Sequence, residues 1–234
     1  VMDNKGNIII EPTYEEIILI PDENTDLFVC TYNVNYNDET YDTKVLNAEN
    51  EEILTEYDNL EVMQNTDGLN VWYEKDILKY EKDGKYGLVD FEGKEVLPAE
   101  YDDIHVLDGI EKSLIIEKNG NKGLISSSTG EVIISTTYKE ISALSEDYKD
   151  GYIVKNSSDK CGIIAIDKKA ILEEKYDEIK NVSGNGYYVV VSEKDTKVVD
   201  KEGKEILEEG FDSVEAIDDS GIVIINKDKY GVIS

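Results

Sequence analysis

Apolar residues in this chain come in short runs closed off by Gly, Asn and Asp, and the clearest run of such segments lies between residues 77 and 104. Residues 77–82, 86–90 and 94–97 each have the length and composition of a β-strand, with Asp83-Gly84 and Phe91-Glu92-Gly93 between them. Asp-Gly is a two-residue hairpin signal, because both positions tolerate positive φ. Pro98 then precedes a further segment opened by Tyr101-Asp102-Asp103-Ile104. No segment carries an i, i+3, i+4, i+7 apolar stripe, so the pattern predicts strands and no long helix.

The same order returns along the chain. Residues 114–118, 122–126, 131–135 and 138–141 form one copy, 152–155, 161–167, 170–173 and 176–179 the next, and 187–192, 197–200, 204–207 and 211–214 another. Weaker copies precede them at 45–47, 52–54 and 57–60, and at 1–3, 7–10 and 14–17. The aromatics Tyr14, Tyr57, Tyr101, Tyr138, Tyr176 and Phe211 are 43, 44, 37, 38 and 35 residues apart. A unit of that size points to stacked or radially arranged modules.

The hairpin turns set the expected pairing. They place residues 113–144 in one four-stranded antiparallel meander, offset from the motif itself. Counted in that offset, residues 222–226 and 229–234 supply the first two strands of a module, and 7–10 and 14–20 its last two. The fold expected is therefore all-β: six tandem repeats of about four short strands, in a β-propeller-like ring closed by N- and C-terminal strands. The alternative is an open β-solenoid or hairpin array; against it, no capping segment is visible for its two apolar ends. Runs such as Leu114-Ile115-Ile116 imply sheets covered on both faces. Gly87, Gly123, Gly162 and Gly231 imply a neighbour packed against a bare Cα, and the aromatic of each copy is expected to fill space between modules.

At these residues the chain resembles the bacterial WG (KWG) repeat family, whose units carry an aromatic-Gly pair, a D-x-x-G-K turn and a Pro/Tyr-Asp-x-Ile segment. Tyr86-Gly87 and Tyr230-Gly231 keep the aromatic, Lys122-Gly123 and Cys161-Gly162 keep only the glycine, and no Trp-Gly occurs. The resemblance implies a β-rich scaffold with no shared catalytic residue. It spans the whole chain, so residues 1–234 are expected to form a single WG-repeat-like domain. Val1 falls in the middle of a repeat strand, as it would in a fragment of a longer chain.

Composition narrows the partners. The 24 basic residues are all Lys, set against 53 acids, for a formal charge of −29. Such a surface repels phosphate backbones and anionic lipid, so nucleic-acid partners are excluded. The apolar runs are too short for membrane insertion by a helix. Residues 1–60 hold 15 acids and 2 Lys, the most acidic part of the chain and one suited to a basic partner. A monomer is the expected state.

Catalytic chemistry finds little footing. His105 is the only histidine and lies in a strand context, while Cys30 and Cys161 lack metal-site spacing and read as small buried hydrophobes. Neighbouring carboxylates abound by number alone, so a carboxylate-based carbohydrate hydrolase is the rival reading, with a calcium-stabilised structural domain as a further alternative. Asp22-Glu23-Asn24-Thr25-Asp26 resembles the start of a calcium loop, but Leu27 and Asn33 stand where its glycine and bidentate glutamate belong. Gly184-Asn185-Gly186 lacks a phosphate-cradle lysine. No catalytic residue, metal or cofactor is therefore assigned. The feature that suggests binding is extra length around 21–26, 33–39 and 64–76, which brings Tyr32, Tyr36, Trp72 and Tyr73 to loops of the first two repeats. Aromatics beside acids suit a protein or peptide, or a glycan. The expectation is a non-enzymatic interaction scaffold.

Overall fold

The computed structural model describes residues 1–20, 26–182, 187–193, 195–206, 211–218, 221–227 and 229–233. These residues form six consecutive antiparallel sheets and no α-helix. The first sheet holds β1 (Glu16–Ile20), β2 (Leu27–Asn35), β3 (Thr40–Leu46) and β4 (Glu52–Ile53). The second holds β5 (Asp58–Thr66), β6 (Val71–Lys82), β7 (Lys85–Asp90) and β8 (Glu95–Tyr101). The third holds β9 (Asp103–Val106), β10 (Ser113–Lys118), β11 (Asn121–Ser126) and β12 (Val132–Tyr138), and the fourth β13 (Glu140–Ala143), β14 (Tyr152–Lys155), β15 (Cys161–Ile164) and β16 (Ala170–Tyr176). Three strands each make up the fifth, β17 (Glu178–Val182), β18 (Tyr187–Val191) and β19 (Thr196–Asp200), and the sixth, β20 (Ser213–Asp218), β21 (Gly221–Asn226) and β22 (Lys229–Ile233).

The all-β repeat architecture is as expected, but the boundaries shift by one strand. The segment after each aromatic belongs to the following sheet: Ile104 pairs with Ile116, and Ile141 with Val154. The reason is a corner at the residue that follows the aromatic. Its N–H leaves the old sheet and bonds the second strand of the new one, as Glu15 to Thr31 O, Asp102 to Glu117 O, Lys139 to Lys155 O, Asp177 to Val191 O and Asp212 to Ile225 O, at 2.8 to 3.0 Å. Asp102 adds a carboxylate bond from the Asn119 N–H (2.6 Å), and Asp212 one from Lys227 (2.7 Å), which tie the corner to the next hairpin.

A second correction follows. Residues 16–20 pair with β2 in the first sheet, so they are not available to a terminal module, and Ile9 and Ile224 belong to separate core clusters. Among the described residues no strand pairing joins the two ends, so closure by a shared terminal sheet is not found there, and the pairing fits the open-array alternative. The cap that the sequence did not disclose is the N-terminal segment. Residues 1–10 fold on themselves through the Met2–Ile8 bridge and the Val1 amino group on Ile10 O (2.8 Å). Ile9, Ile10 and Tyr14 then cover Phe28, Cys30 and Leu46 on the outer face of the first sheet. At the far end, Tyr230 and Val232 of β22 remain 76% and 68% exposed.

The core consists of layers between successive sheets. Val29, Val45, Leu60 and Leu78 fill the first, Leu88, Ile104, Leu114 and Ile116 the second, Ile115, Leu124, Tyr152 and Val154 the third, Ile163, Leu172, Tyr188 and Val190 the fourth, and Val189, Val198 and Val214 the fifth. Each sheet is too small to bury its own apolar faces and relies on its neighbours. The repeat aromatics do fill these layers: Tyr57 packs at 4.7 Å from the Tyr80 ring and donates to Gly93 O, and Tyr176 is buried in the fourth layer.

The glycines explain how the fourth strand stays close. Opposite Gly87, Gly123 and Gly162 the pairing slips, so that three residues of β8, β12 or β16 face one glycine. A Cβ there would stand 2.6 Å from Leu97 O, 2.7 Å from Ile134 O and 2.7 Å from Leu172 O. The turn before this strand is also repeated: the Asp90 carboxylate accepts from Glu92 N and Lys94 N, Asp200 from Glu202 N and Lys204 N, and Asp3 from Lys5 N and Asn7 N.

Two measurements test this account. Gly123→Ala drives a methyl into backbone that cannot yield, so it should cost about 1–3 kcal/mol of unfolding free energy in a denaturant titration. Tyr138, held by burial and by its bond to Glu174 (2.7 Å) in the next sheet, has its phenol raised to about 12. Its folded-state pKa lies above the unfolded value of about 10, so its contribution to stability is intact below pH 10 and is lost as pH rises toward 12. Tyr138→Phe should remove part of the tyrosinate absorbance that develops near pH 12 and flatten the fall in stability across that window.

Candidate functional site

Several clefts open beside the strands among the described residues. One, of about 540 Å³, lies where three equivalent loops meet: those joining β5 to β6, β9 to β10, and β13 to β14. Its walls carry two half-buried aromatics, Trp72 and Tyr148, with Asp67, Glu111, Glu146 and Asp147 and the ammonium of Lys149. Lys112 and Lys149 Nζ stand 5.6 and 5.5 Å from the Tyr148 ring centre.

The loops are built to hold their shape. Asp67 accepts from the N–H groups of Leu69 (2.8 Å) and Asn70 (2.6 Å) and from Asn70 Nδ2, bonds that keep its carboxyl below the usual range, the Asn70 backbone bond most of all. Asp147 accepts from Lys149 N (2.9 Å) and starts the single 3₁₀ turn Tyr148–Asp150, which presents the Tyr148 ring. Beneath them a buried polar network joins the second and third sheets. Asn65 takes the N–H of Gly109 (3.0 Å) and donates to Leu107 O (3.3 Å) and Ile110 O (3.0 Å), so it anchors the β9–β10 loop from the neighbouring sheet. Glu74, 6% exposed, accepts from Ser127 Oγ (2.6 Å) and from Asn65 Nδ2 (3.5 Å). Between the third and fourth sheets Ser113 Oγ and Tyr152 OH meet at 2.7 Å.

One donor in the cleft is left over. Trp72 Nε1–H is buried with no hydrogen-bond partner among the described residues. A buried indole N–H normally finds an acceptor, and a ligand carbonyl or hydroxyl could supply one here. Two aromatic faces and surrounding carboxylates form a surface that can stack on and attract a polar ligand, with the indole N–H buried behind it.

The four sequence-derived aromatics do not converge. Trp72 reaches the cleft. Tyr73 follows it in β6 and so faces the opposite side of the strand. Tyr36 is 83% exposed at the turn between β2 and β3. Tyr32 sits edge-on to Tyr14 at 6.3 Å, with Lys44 Nζ 5.1 Å from its ring, and lines the second cleft, about 380 Å³ between the first and second sheets among Asp42, Glu52, Asp58 and Glu81. Tyr148, from the fourth sheet, was missed; its only signal in sequence was an acidic, polar loop of the repeat.

Other candidates resolve simply. His105 Nδ1 lies 3.3 Å from Asp103 Oδ2 on the surface of β9. Cys30 and Cys161 are buried free thiols, and burial pushes both pKa values up. Among the described residues, no group of three or more His, Cys, Asp or Glu is arranged to hold a metal ion, and no helix is long and apolar enough to cross a membrane. Asp22 to Thr25, and Gly184-Asn185-Gly186, lie outside the described residues.

A eukaryotic initiation factor structure is 12% identical, covers 89% of this chain and has a TM-score of 0.41; the chain spans 58% of that structure. Hsv2 of Kluyveromyces lactis is 11% identical, with 75% of this chain and 60% of that one covered and a TM-score of 0.35. The WD40 β-propeller domain of Doa1 is 13% identical, with 95% and 80% covered and a TM-score of 0.29. No curated protein matches the sequence. The family described as WG containing repeat matches residues 1–23 and 86–121 of this chain.

Proposed function

We propose that this chain is a monomeric, non-enzymatic binding module that holds its ligand, a protein segment or a glycan, in the cleft between Trp72 and Tyr148. Its WG repeats and propeller-like neighbours fit such a module. The observation that carries the reading is the meeting of three loops from three successive sheets around those two rings, beside a buried indole N–H that has no partner among the described residues.

The chemistry argues for capture. Acids on the rim and an unsatisfied donor inside can orient a polar ligand, while the two rings supply contact area at small entropic cost. The net charge of −29 turns the same surface away from nucleic acid and toward neutral or basic ligands. This site moves the binding surface from the first two repeats alone to an end shared by the second, third and fourth sheets.

Trp72 is the only tryptophan, so its emission reports directly on occupancy. Ligands found by screening glycans and peptides should shift that emission. Tyr148→Ala should weaken their binding roughly tenfold or more, the loss of one aromatic contact, with an unchanged circular dichroism spectrum. Tyr73→Ala should bind like the unmodified chain. Ligands that leave the emission unmoved and bind equally well to the Tyr148→Ala variant would place binding elsewhere.

A further inference from the structure

The hairpin that carries Trp72 outruns its own sheet. β7 pairs with β6 only from Ile77 to Lys82, while β5 pairs with Val71, Trp72 and Tyr73 on the other side. Between Val71 and Asp76, therefore, the side of β6 turned away from β5 has no ladder partner among the described residues. The polarity of that free edge can be worked out. Asp67 N bonds Asn70 O at 3.3 Å and closes the hairpin. Antiparallel ladders alternate inward and outward groups, so Trp72 turns its N–H and C=O toward β5, and Val71 and Tyr73 turn theirs outward.

An unpaired strand edge normally carries some protection, such as a proline or a lysine. Here Lys75 stands at the base of the free edge, while its tip is apolar: Leu69 is 94% exposed and Val71 62%. The face shared by Trp72 and Glu74 turns toward the 540 Å³ cleft and the third sheet, where Trp72 lines the wall and Glu74 meets Ser127. Glu111 and Glu146 stand on the cleft wall with no ion pair among the described residues.

We propose that an extended peptide adds to this edge of β6 as an extra strand, bonded to the outward groups of Val71 and Tyr73. Its residues alternate between basic and apolar. The basic side chains enter the cleft, where Glu111 and Glu146 supply opposite charge and the ring of Trp72 supplies a cation–π face. The apolar side chains lie on the other face, along Val71. This inference rests on the cleft being the binding site, and it narrows the ligand to a basic peptide in β conformation.

The test separates the mode from the site. Short random peptides displayed on phage are selected against the intact chain, and the enriched peptides are synthesised with and without N-methyl groups at alternate backbone positions. Enriched sequences should alternate Lys or Arg with apolar residues. N-methylation in one of the two alternating frames should weaken binding roughly tenfold or more, and methylation in the other frame should not. Val71→Pro removes one outward N–H and leaves the β5 ladder intact, since proline is tolerated on a free edge; it should weaken the same peptides while leaving the thermal melt unchanged. Should Val71→Pro fail to fold, the N-methyl pair on the unmodified chain decides alone. Enrichment of acidic peptides, no enrichment at all, or equal binding in both methylation frames would overturn strand addition. Glycans that shift Trp72 emission and lose affinity in Tyr148→Ala, while no peptide is enriched, would also overturn it and leave the cleft standing as the binding site.

Discussion

The structure depends on one close approach, that of a fourth strand to a glycine. At Gly87, Gly123 and Gly162 the partner carbonyl stands where a Cβ would be, and three residues bulge past one. A bulge bends its strand and increases its twist, and here the bend brings Tyr101, Tyr138 or Tyr176 into the layer between sheets. The next residue then turns the corner, and its N–H begins the following sheet. Removing the bare Cα would therefore disturb more than one strand pair, because the path from sheet to sheet starts at that bulge. The Asp-led turn before the fourth strand holds the entry to it, and its carboxylate is occupied by two N–H groups each time.

How much of this was legible follows from the range of the forces involved. The strands and hairpins were readable because they are local: Asp83-Gly84 and Asn119-Gly120 adopt positive φ and join β6 to β7 and β10 to β11 as their chemistry requires. The glycine contacts were readable as well, since a glycine inside a strand implies a neighbour. The corner was not. Nothing in Tyr-Asp-x-Ile says whether the segment pairs backward or forward, and the choice is made by bonds to residues some 15 positions ahead, such as Asp102 to Glu117. That one-strand error produced the expected joining of the two ends. The N-terminal cap was hidden for the same reason. Residues 1–10 read as repeat strands, yet what holds them is a layer formed with Phe28, Cys30 and Leu46.

The cleft was less legible, and Trp72 and Tyr73 show why. Extra length and aromatic content located the second repeat, but adjacent strand residues face opposite ways, and composition does not say which side meets a cleft. Tyr148 belongs to a loop two sheets away from Trp72. Only the stacking of sheets brings those loops to one end, so a site built across repeats is invisible to a reading taken one repeat at a time.

The polar network under that site needs its own explanation, because apolar side chains would fill the same space at lower cost. Glu74 is nearly sealed from water and has only neutral donors, Ser127 and Asn65. A buried carboxylate without a cation is costly unless its bonds are well made. Apolar layers such as Leu88 on Ile104 tolerate small sliding of one sheet over the next, since dispersion is non-directional. Asn65 does not: it fits both the N–H of Gly109 and the carbonyls of Leu107 and Ile110 in one position only. The network therefore sets the register of the β9–β10 loop against the β5–β6 hairpin, the two elements that bring Glu111 and Trp72 to the same cleft. A stack held by oil alone would leave that spacing loose; the buried amide and carboxylate fix it at the point where a ligand would read it.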